Sequence, residues 1–266
     1  MELIRSQARA SRLRILETAT STNDSLAGLA ADGDEQQLST VVTLNQTGGR
    51  GRLGRVWVAP KDKTLAASVL LRPVLPSGVP LAPDRFGWLP LIAGVAMSAS
   101  VDALIGGGRT GLKWPNDVQV DGLKVSGILA ELLPSGAVAM GTGVNLTLEE
   151  SELPVPTATS LALAGATLRG DELVDAVLSG YLAELRELLE RFLAAGADAE
   201  RSGIHRAVSE WCRTLGREVR VSLPGGDDLF GTAVAIDLSG CLVVRGARDD
   251  RMVAVAAGDV THLRYE

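Results

Sequence analysis

The sequence predicts an α+β domain followed by a small barrel of strands, and three observations carry that reading. Runs rich in β-branched residues, such as Ser39 to Leu44 (STVVTL), recur before residue 150. Two long stretches, Trp88 to Ile105 and Leu173 to Leu193, repeat apolar residues at helical spacing. After about Gly216 the texture changes to short strands separated by turn residues, with no helical pattern between them. The expected division is a catalytic-sized domain over 1–215 and a barrel over 216–266.

Each element has its own signal. Ser21 to Ala30 (STNDSLAGLA) opens with capping-box spacing between Ser21 and Asp24, and Leu26, Leu29 and Ala30 share a face, so a helix starts here. Ser39 to Leu44 is a strand that runs directly into a basic, glycine-rich segment. TLAASVLLRP is another strand, stopped at Pro73. In the first long helix Leu91, Ile92, Val95, Ala96 and Ala99 repeat at helical spacing, and Gly106, Gly107 and Gly108 end it. GLKWPND and VQV lead into Asp121-Gly122, a hairpin turn composition, and LKVSGILAELL returns from it. AVAMGTGVNL is one more strand, and the second long helix carries a stripe of Leu178, Leu182, Leu185 and Leu189. REVRVSL, LFGTAVAIDL, CLVVRG, RMVAVAAG and THLRYE read as the strands of the barrel.

With 266 residues, 46% of them hydrophobic, the chain can bury one sizeable core and a small second one. Aromatic content is only 3%, so Ala, Leu and Val must build that core. A net charge of -6 and a pI near 5.1 argue against a general nucleic-acid or membrane-surface protein. Cys212 and Cys241 are too few for a disulfide framework or a zinc site. The first residues, MELIRSQARASRLRIL, hold no long apolar run, so neither a signal peptide nor a spanning segment is expected, and a reduced cytoplasm is the expected setting.

The segment Thr47 to Trp57 (TGGRGRLGRVW) concentrates four glycines and three arginines in this acidic chain. Gly49, Gly51 and Gly54 fit the dinucleotide fingerprint, but that motif needs a helix after it and VWVAPKDK follows instead. Gly49 to Val56 also approaches a P-loop, with Arg55 in place of the lysine and Val56 where a hydroxyl must hold Mg²⁺. The remaining reading is an anion clamp: glycines let backbone N–H groups approach a ligand, and arginines offer bidentate donors to phosphate or carboxylate. No acidic residue stands near these arginines in sequence, so Gly48 to Arg55 is expected to be mobile until a ligand arrives.

Several segments occur in a fixed order around that loop: Thr20-Ser21-Thr22-Asn23, Gln46 with GRGRLGRVW, Lys113-Trp114-Pro115-Asn116-Asp117, Lys124 within KVSGILAEL, and Gly141-Thr142-Gly143-Val144-Asn145. Together they resemble biotin protein ligases over roughly residues 15 to 165, and the small C-terminal barrel fits as well. The resemblance implies a mixed sheet flanked by helices, related to class II aminoacyl-tRNA synthetases, followed by an SH3-like barrel. It implies an ATP- and Mg²⁺-dependent enzyme that makes biotinyl-5′-AMP and passes biotin to one lysine of the biotin carboxyl carrier domain of an acyl-CoA carboxylase. Carried over by position, Ser21, Thr22, Asn23, Gln46, Arg50, Gly51, Arg52, Lys124 and Gly127 fall on the biotin side. Arg52, Arg55, Trp57, Lys113, Asn116 and Asn145 fall on the ATP and adenylate side, and Asp117 falls where Mg²⁺ is held. Lys124, Arg50 and Arg52 are the expected catalytic residues. The STN segment begins at residue 21, so the DNA-binding repressor domain that some bacterial members carry, and with it a repressor function, is not expected here. No nucleic-acid or membrane partner is expected, and the expected state is a monomer or weak homodimer.

The chemistry suits these residue types. A carboxylate must attack a phosphate ester, so catalysis is charge neutralisation and positioning, with no protein nucleophile. No G-x-S-x-G elbow is present, and His205 and His262 stand far along the chain. Ser21 reads equally as a helix cap, Asp117 as a turn residue after Pro115-Asn116, and Trp57 and Trp114 as core residues, with Trp114 anchoring its loop. Asn145 reads as a turn residue or as an adenine contact. Two rivals remain at this point: a lipoate or octanoate ligase with the same acyl-adenylate logic, and a nucleic-acid-binding module built on the arginines, which the acidic pI and scarce aromatics oppose.

Overall fold

The computed structural model describes residues 1–223, 226–256 and 258–263. Its larger part is one mixed sheet in the order β1-β2-β3-β7-β6-β5-β4. The strands are β1 (Leu13–Ile15), β2 (Thr40–Thr43), β3 (Thr64–Leu71), β4 (Thr110–Lys113), β5 (Asp117–Val120), β6 (Leu123–Leu132) and β7 (Val138–Asn145). Only β1 and β2 run parallel; every other neighbouring pair is antiparallel. Strands β5 and β6 are joined by Asp121 and Gly122, at φ 51° and 80°, the two positive φ values a tight hairpin of this type requires.

Side chains alternate across a strand, and here the two faces serve different ends. On one face Val42, Val69, Leu71 and Met140 join the main core beneath α3 (Trp88–Ile105) and α4 (Gly170–Ala194). On the other, Val41, Leu70 and Ala139 meet Leu26 and Ala30 of α2 (Thr22–Ala31) in a small cluster. The second face also carries Ser68, Gly141 and Gly143, one or two positions along the same strands. Pro83–Ile105 is long and apolar enough to cross a membrane by length and composition. Twelve of the helical residues of α3 are buried against the sheet and α4, which accounts for that apolarity. Its stop is the expected one: Gly106, Gly107 and Gly108 all have positive φ.

Three elements were not apparent from periodicity. The helix α1 (Ile4–Arg9) is six residues long and is held by one carboxylate of α4. Asp175 accepts from Ser6 N at 2.8 Å, from Ser6 Oγ at 2.7 Å and from Arg5 Nε at 3.2 Å. Strand β1 has three residues and depends on pairing with β2. Helix α5 (Ile204–Trp211) buries only Ile204 and Val208. Helix α4 starts three residues before the expected Leu173, at Gly170.

The tail folds as five antiparallel strands in the order β11-β10-β9-β8-β12. They are β8 (Glu218–Ser222), β9 (Asp228–Ile236), β10 (Leu242–Gly246), β11 (Met252–Val255) and β12 (Asp259–His262). Of the expected strand segments, Ala257 and Arg264, Tyr265 and Glu266 lie outside the described residues. Two tryptophans pin this sheet to the larger part: Trp88 Nε1 donates to Leu238 O at 3.1 Å and Trp114 Nε1 to Gly240 O at 3.1 Å. Trp114 therefore does anchor its loop, and its anchor is the other sheet.

Candidate active site

The site lies on the α2 face of the large sheet, where the strands carry glycine. Gly127 of β6 is directly opposite Gly143 of β7. A Cβ on Gly143 would stand 2.4 Å from Trp57 Cε2, and one on Gly141 would stand 2.6 Å from Asn23 Oδ1. These positions need glycine because the side chains of Trp57 and Asn23 already occupy the space a Cβ would take. Above this floor is a cavity of about 140 Å³.

One wall is the start of α2. Ser21 caps the helix, accepting from Asp24 N at 3.3 Å. Gln46 Oε1 accepts from the Thr22 backbone N–H at 2.9 Å and from its hydroxyl at 3.2 Å. The Ser68 hydroxyl stands 2.7 Å from Thr22 Oγ1 and 2.6 Å from Asn23 Oδ1, and Asn23 Nδ2 donates to Glu131 Oε2 at 2.8 Å. Ser21, Thr22 and Asn23 are all buried.

The roof is the basic loop. Gly51 N–H donates to Arg55 O at 2.7 Å and Trp57 N–H to Gly49 O at 2.9 Å, which folds the segment back on itself. A single 3₁₀ turn at Arg52–Gly54 makes the bend, with Leu53 at φ 57° and Gly54 at φ 73°. Two of the arginines have acidic partners, none of them near in sequence. They come from residues 26, 81 and 204 positions away. Arg50 pairs with Asp24 and Glu131, and Arg55 pairs with Asp259 of β12. Arg52 instead donates to Asn116 Oδ1 at 3.2 Å. Burial lowers its pKa, the charges of Asp117 and Asp259 oppose that, and Arg55 adds to it.

Lys124 stands at the start of β6. Its backbone is stapled on both sides, N–H to Thr157 O at 2.7 Å and carbonyl from Thr159 N at 2.8 Å. Its Nζ lies 2.6 Å from Asp117 Oδ1 and 5.5 Å from the centre of the Trp57 ring. Asn116 is fixed by its amide, which donates to Ile128 O at 2.7 Å. The Trp57 indole N–H is buried and has no hydrogen-bond partner among the described residues.

The structure thus gathers Ser21, Thr22, Asn23, Gln46, Arg50, Gly51, Arg52, Arg55, Trp57, Asn116, Asp117, Lys124 and Gly127 around one cavity. Lys113 and Asn145 do not line it. Lys113 ends β4 opposite Asp117, where burial lowers its pKa against the charges of Asp117 and Asp259. Asn145 is buried, its amide donating to Thr159 O at 2.8 Å. Asp259 and Gly258 line the cavity from the second sheet, and nothing in their local sequence marks them. Neither His205, bonded to Ile236 O, nor His262, bonded to Thr214 Oγ1, lines it. Four cations, Arg50, Arg52, Arg55 and Lys124, line the cavity against the two carboxylates Asp117 and Asp259, an arrangement suited to bringing two anions together.

Residues 16–145 match the biotin/lipoate A/B protein ligase family, and residues 214–263 match the biotin protein ligase C-terminal domain. The chain is 40% identical to the biotin–[acetyl-CoA-carboxylase] ligase of Mycobacterium tuberculosis over 258 residues, 95% of this chain and 90% of that protein. It is 31% identical over 229 residues to the Paracoccus denitrificans protein of the same name, covering 81% of this chain and 88% of that one. A biotin protein ligase from Aquifex aeolicus in complex with biotin and ATP superposes with a TM-score of 0.72 at 25% identity, covering 96% of this chain and 100% of the other. Fold and site together define a member of the biotin/lipoate ligase class. The chain belongs to the biotin protein ligase family.

Proposed function

We propose that this cavity joins biotin to ATP and then delivers biotin to a protein lysine. Family membership makes the chain an ATP-dependent biotin–[acetyl-CoA-carboxylase] ligase; the residue roles are the proposal. A biotin carboxylate oxygen attacks the α-phosphorus of ATP, the bond to the β-phosphate breaks, and pyrophosphate leaves. The lysine amine of a biotin carboxyl carrier domain then attacks the carbonyl carbon of biotinyl-5′-AMP, AMP leaves, and the amine loses its proton.

The observation that carries this reading is the convergence of Lys124 and Arg52 on one small cavity floored by facing glycines. Lys124 sits between the carboxylate and the α-phosphate, where the attack brings two negative groups together. Arg52 serves the same charge from the roof. Thr22, Asn23 and Gln46 hold the biotin head, with the N–H groups at the start of α2 beside them. Arg50 and Gly51 act through the backbone they set in place, and Arg55, Trp57, Asn116 and, after the site opens toward them, Lys113 and Asn145 serve the nucleotide. The present volume is below the roughly 300–1,000 Å³ of sites for ligands of this size, so opening accompanies binding.

Among the described residues, no three His, Cys, Asp or Glu side chains gather as a metal site. Mg²⁺ still fits, because it takes one or two carboxylates and completes its shell with substrate phosphates, and Asp117 and Asp259 both line the cavity. Asp117 would hold it, and bound there it supplies charge neutralisation at the phosphates. The free thiols Cys212 and Cys241 suit the reduced cytoplasm in which such a carrier is modified. Incubating the protein with biotin, ATP, Mg²⁺ and a purified carrier domain should raise the carrier's mass by one biotin. No mass gain, or a gain with lipoate and not biotin, overturns the reading.

A further inference from the structure

The three arginines of the loop divide into two kinds. Arg50 and Arg55, near its two ends, are tied to carboxylates. Arg50 Nη1 and Nη2 each donate to Asp24 at 2.6 Å, and Nη2 also meets both oxygens of Glu131 at 3.2 Å. Arg55 Nη1 and Nη2 donate to the two oxygens of Asp259 at 3.1 and 2.5 Å. Arg52, between them, makes no carboxylate hydrogen bond among the described residues and donates to the Asn116 amide oxygen.

The loop has little else to hold it. From Arg50 to Val56 no residue is buried, and its two apolar side chains, Leu53 and Val56, are 68% and 78% exposed. A glycine-rich segment without buried side chains gains nothing from the hydrophobic effect and keeps a large ordering cost. Its own backbone bonds fold it into a bend but do not fix that bend over the cavity. Bidentate arginine–carboxylate pairs do, because they constrain direction as well as distance. One pair reaches to the first turn of α2, the other to the first residue of β12 in the second sheet.

We propose that Asp24 and Asp259 are positioning residues that strap the loop across the cavity from opposite ends, and that the C-terminal sheet enters the reaction through Asp259. This deepens the ligase reading and rests on it only for the retention of the adenylate. Strapped at both ends, the loop carries Arg52 over the reaction centre and shields a hydrolysable anhydride from water. The second sheet is then a working part of the site.

The test uses Asp24→Asn and Asp259→Asn, which keep size and remove charge. In the free protein, hydrogen exchange and tryptic cleavage within Arg50–Arg55 should rise roughly two- to fivefold, the change an exposed pair of this geometry supports. Exchange in α3 and α4 should stay unchanged. With biotin and ATP, each variant should release more free biotinyl-AMP per carrier modified. Asp259→Glu should restore both readouts, and Asp259→Arg combined with Arg55→Asp should restore loop protection. Added salt should loosen the wild-type loop and leave the double Asn variant unaffected. Unchanged loop exchange in both single variants, or exchange raised equally throughout the molecule, overturns the proposal. A strapped loop in a protein that makes no biotinyl-AMP would instead overturn the ligase reading and leave the strap standing.

Discussion

Lys124 and Asp117 face each other across the β5–β6 hairpin, Nζ 2.6 Å from Oδ1. The cation expected at the reaction centre is thus held by a carboxylate of the neighbouring strand, and an incoming anion must compete with that carboxylate. A donor placed this way acts on charge that develops during the attack, and removing one such donor costs about 3 kcal/mol in the barrier, on the order of 100-fold in rate. Lys124→Ala should therefore cut biotin-dependent pyrophosphate release by about that factor while the melting temperature barely moves. Release near the wild-type rate would show that Lys124 is not at the reaction centre.

The glycine floor gives a sharper test. Gly143→Ala places a methyl 2.4 Å from the Trp57 ring, so the indole must leave its seat. The indole N–H there is already unpaired, which makes the seat easier to vacate than a satisfied one. Substrate affinity should fall at least tenfold by calorimetry, a loss of about 1.4 kcal/mol. Gly28, in the middle of α2 with nothing within 4 Å of its added Cβ, is the control: Gly28→Ala should leave binding alone and raise stability by about 0.5–1 kcal/mol. Equal behaviour of the two variants would remove the floor from the argument.

Acid should loosen the loop. The hydrogen bond from Arg50 lowers the Asp24 carboxyl below its ordinary 3.8, burial offsets part of this, and the Arg50 charge adds to it. At Asp259 burial acts first and upward, but the Arg55 hydrogen bond and the charges of Arg55, Lys113 and Arg52 outweigh it, so the result is again below 3.8. A depressed carboxyl stabilises the folded form fully above 3.8 and loses that contribution as pH falls through the folded value. Loop protection, corrected for intrinsic exchange, should be flat from about pH 7 to 5 and decline only below the ordinary carboxylate range. A decline already at pH 6 would point to a group other than these two.

Trp114 tests the joint between the sheets. Trp114→Phe keeps an aromatic ring and deletes the donor to Gly240 O, leaving a carbonyl without that partner. The expected loss is about 1–3 kcal/mol, read by denaturant titration. A loss well below that range would show that the contact does not hold the C-terminal sheet.

Sequence patterning identified the elements whose signal is internal to them. The apolar repeat of Trp88–Ile105, the Leu178–Leu189 stripe and the Asp121-Gly122 turn each specify their structure locally; the ends of α3 and the turn fall where expected, while α4 begins three residues early, at Gly170. Helix α1 and strand β1 were not legible because each is held by a partner elsewhere, Asp175 for one and β2 for the other. The cavity followed the same rule. Most motif residues came together, Lys113 and Asn145 excepted, whereas Asp259 and Glu131 were missed, since an isolated acidic residue carries no sign of the arginine it will meet across 204 or 81 positions.

The alternation of the central strands bears on how this protein can change over time. Val69 and Leu71 sit beneath α3 and α4, while Ser68, the residue before Val69, points to the opposite face and touches Thr22 and Asn23. Neighbouring codons of one strand are therefore answerable to different pressures, one to the solidity of the interior and the next to what the enzyme accepts. A substitution at Ser68, Gly141 or Gly143 can alter substrate choice with the packed side untouched, and one at Val69 or Met140 can erode durability with the chemistry untouched. Variation along β3 and β7 should then change character at every second residue, and a lineage can retune its specificity without first rebuilding its core.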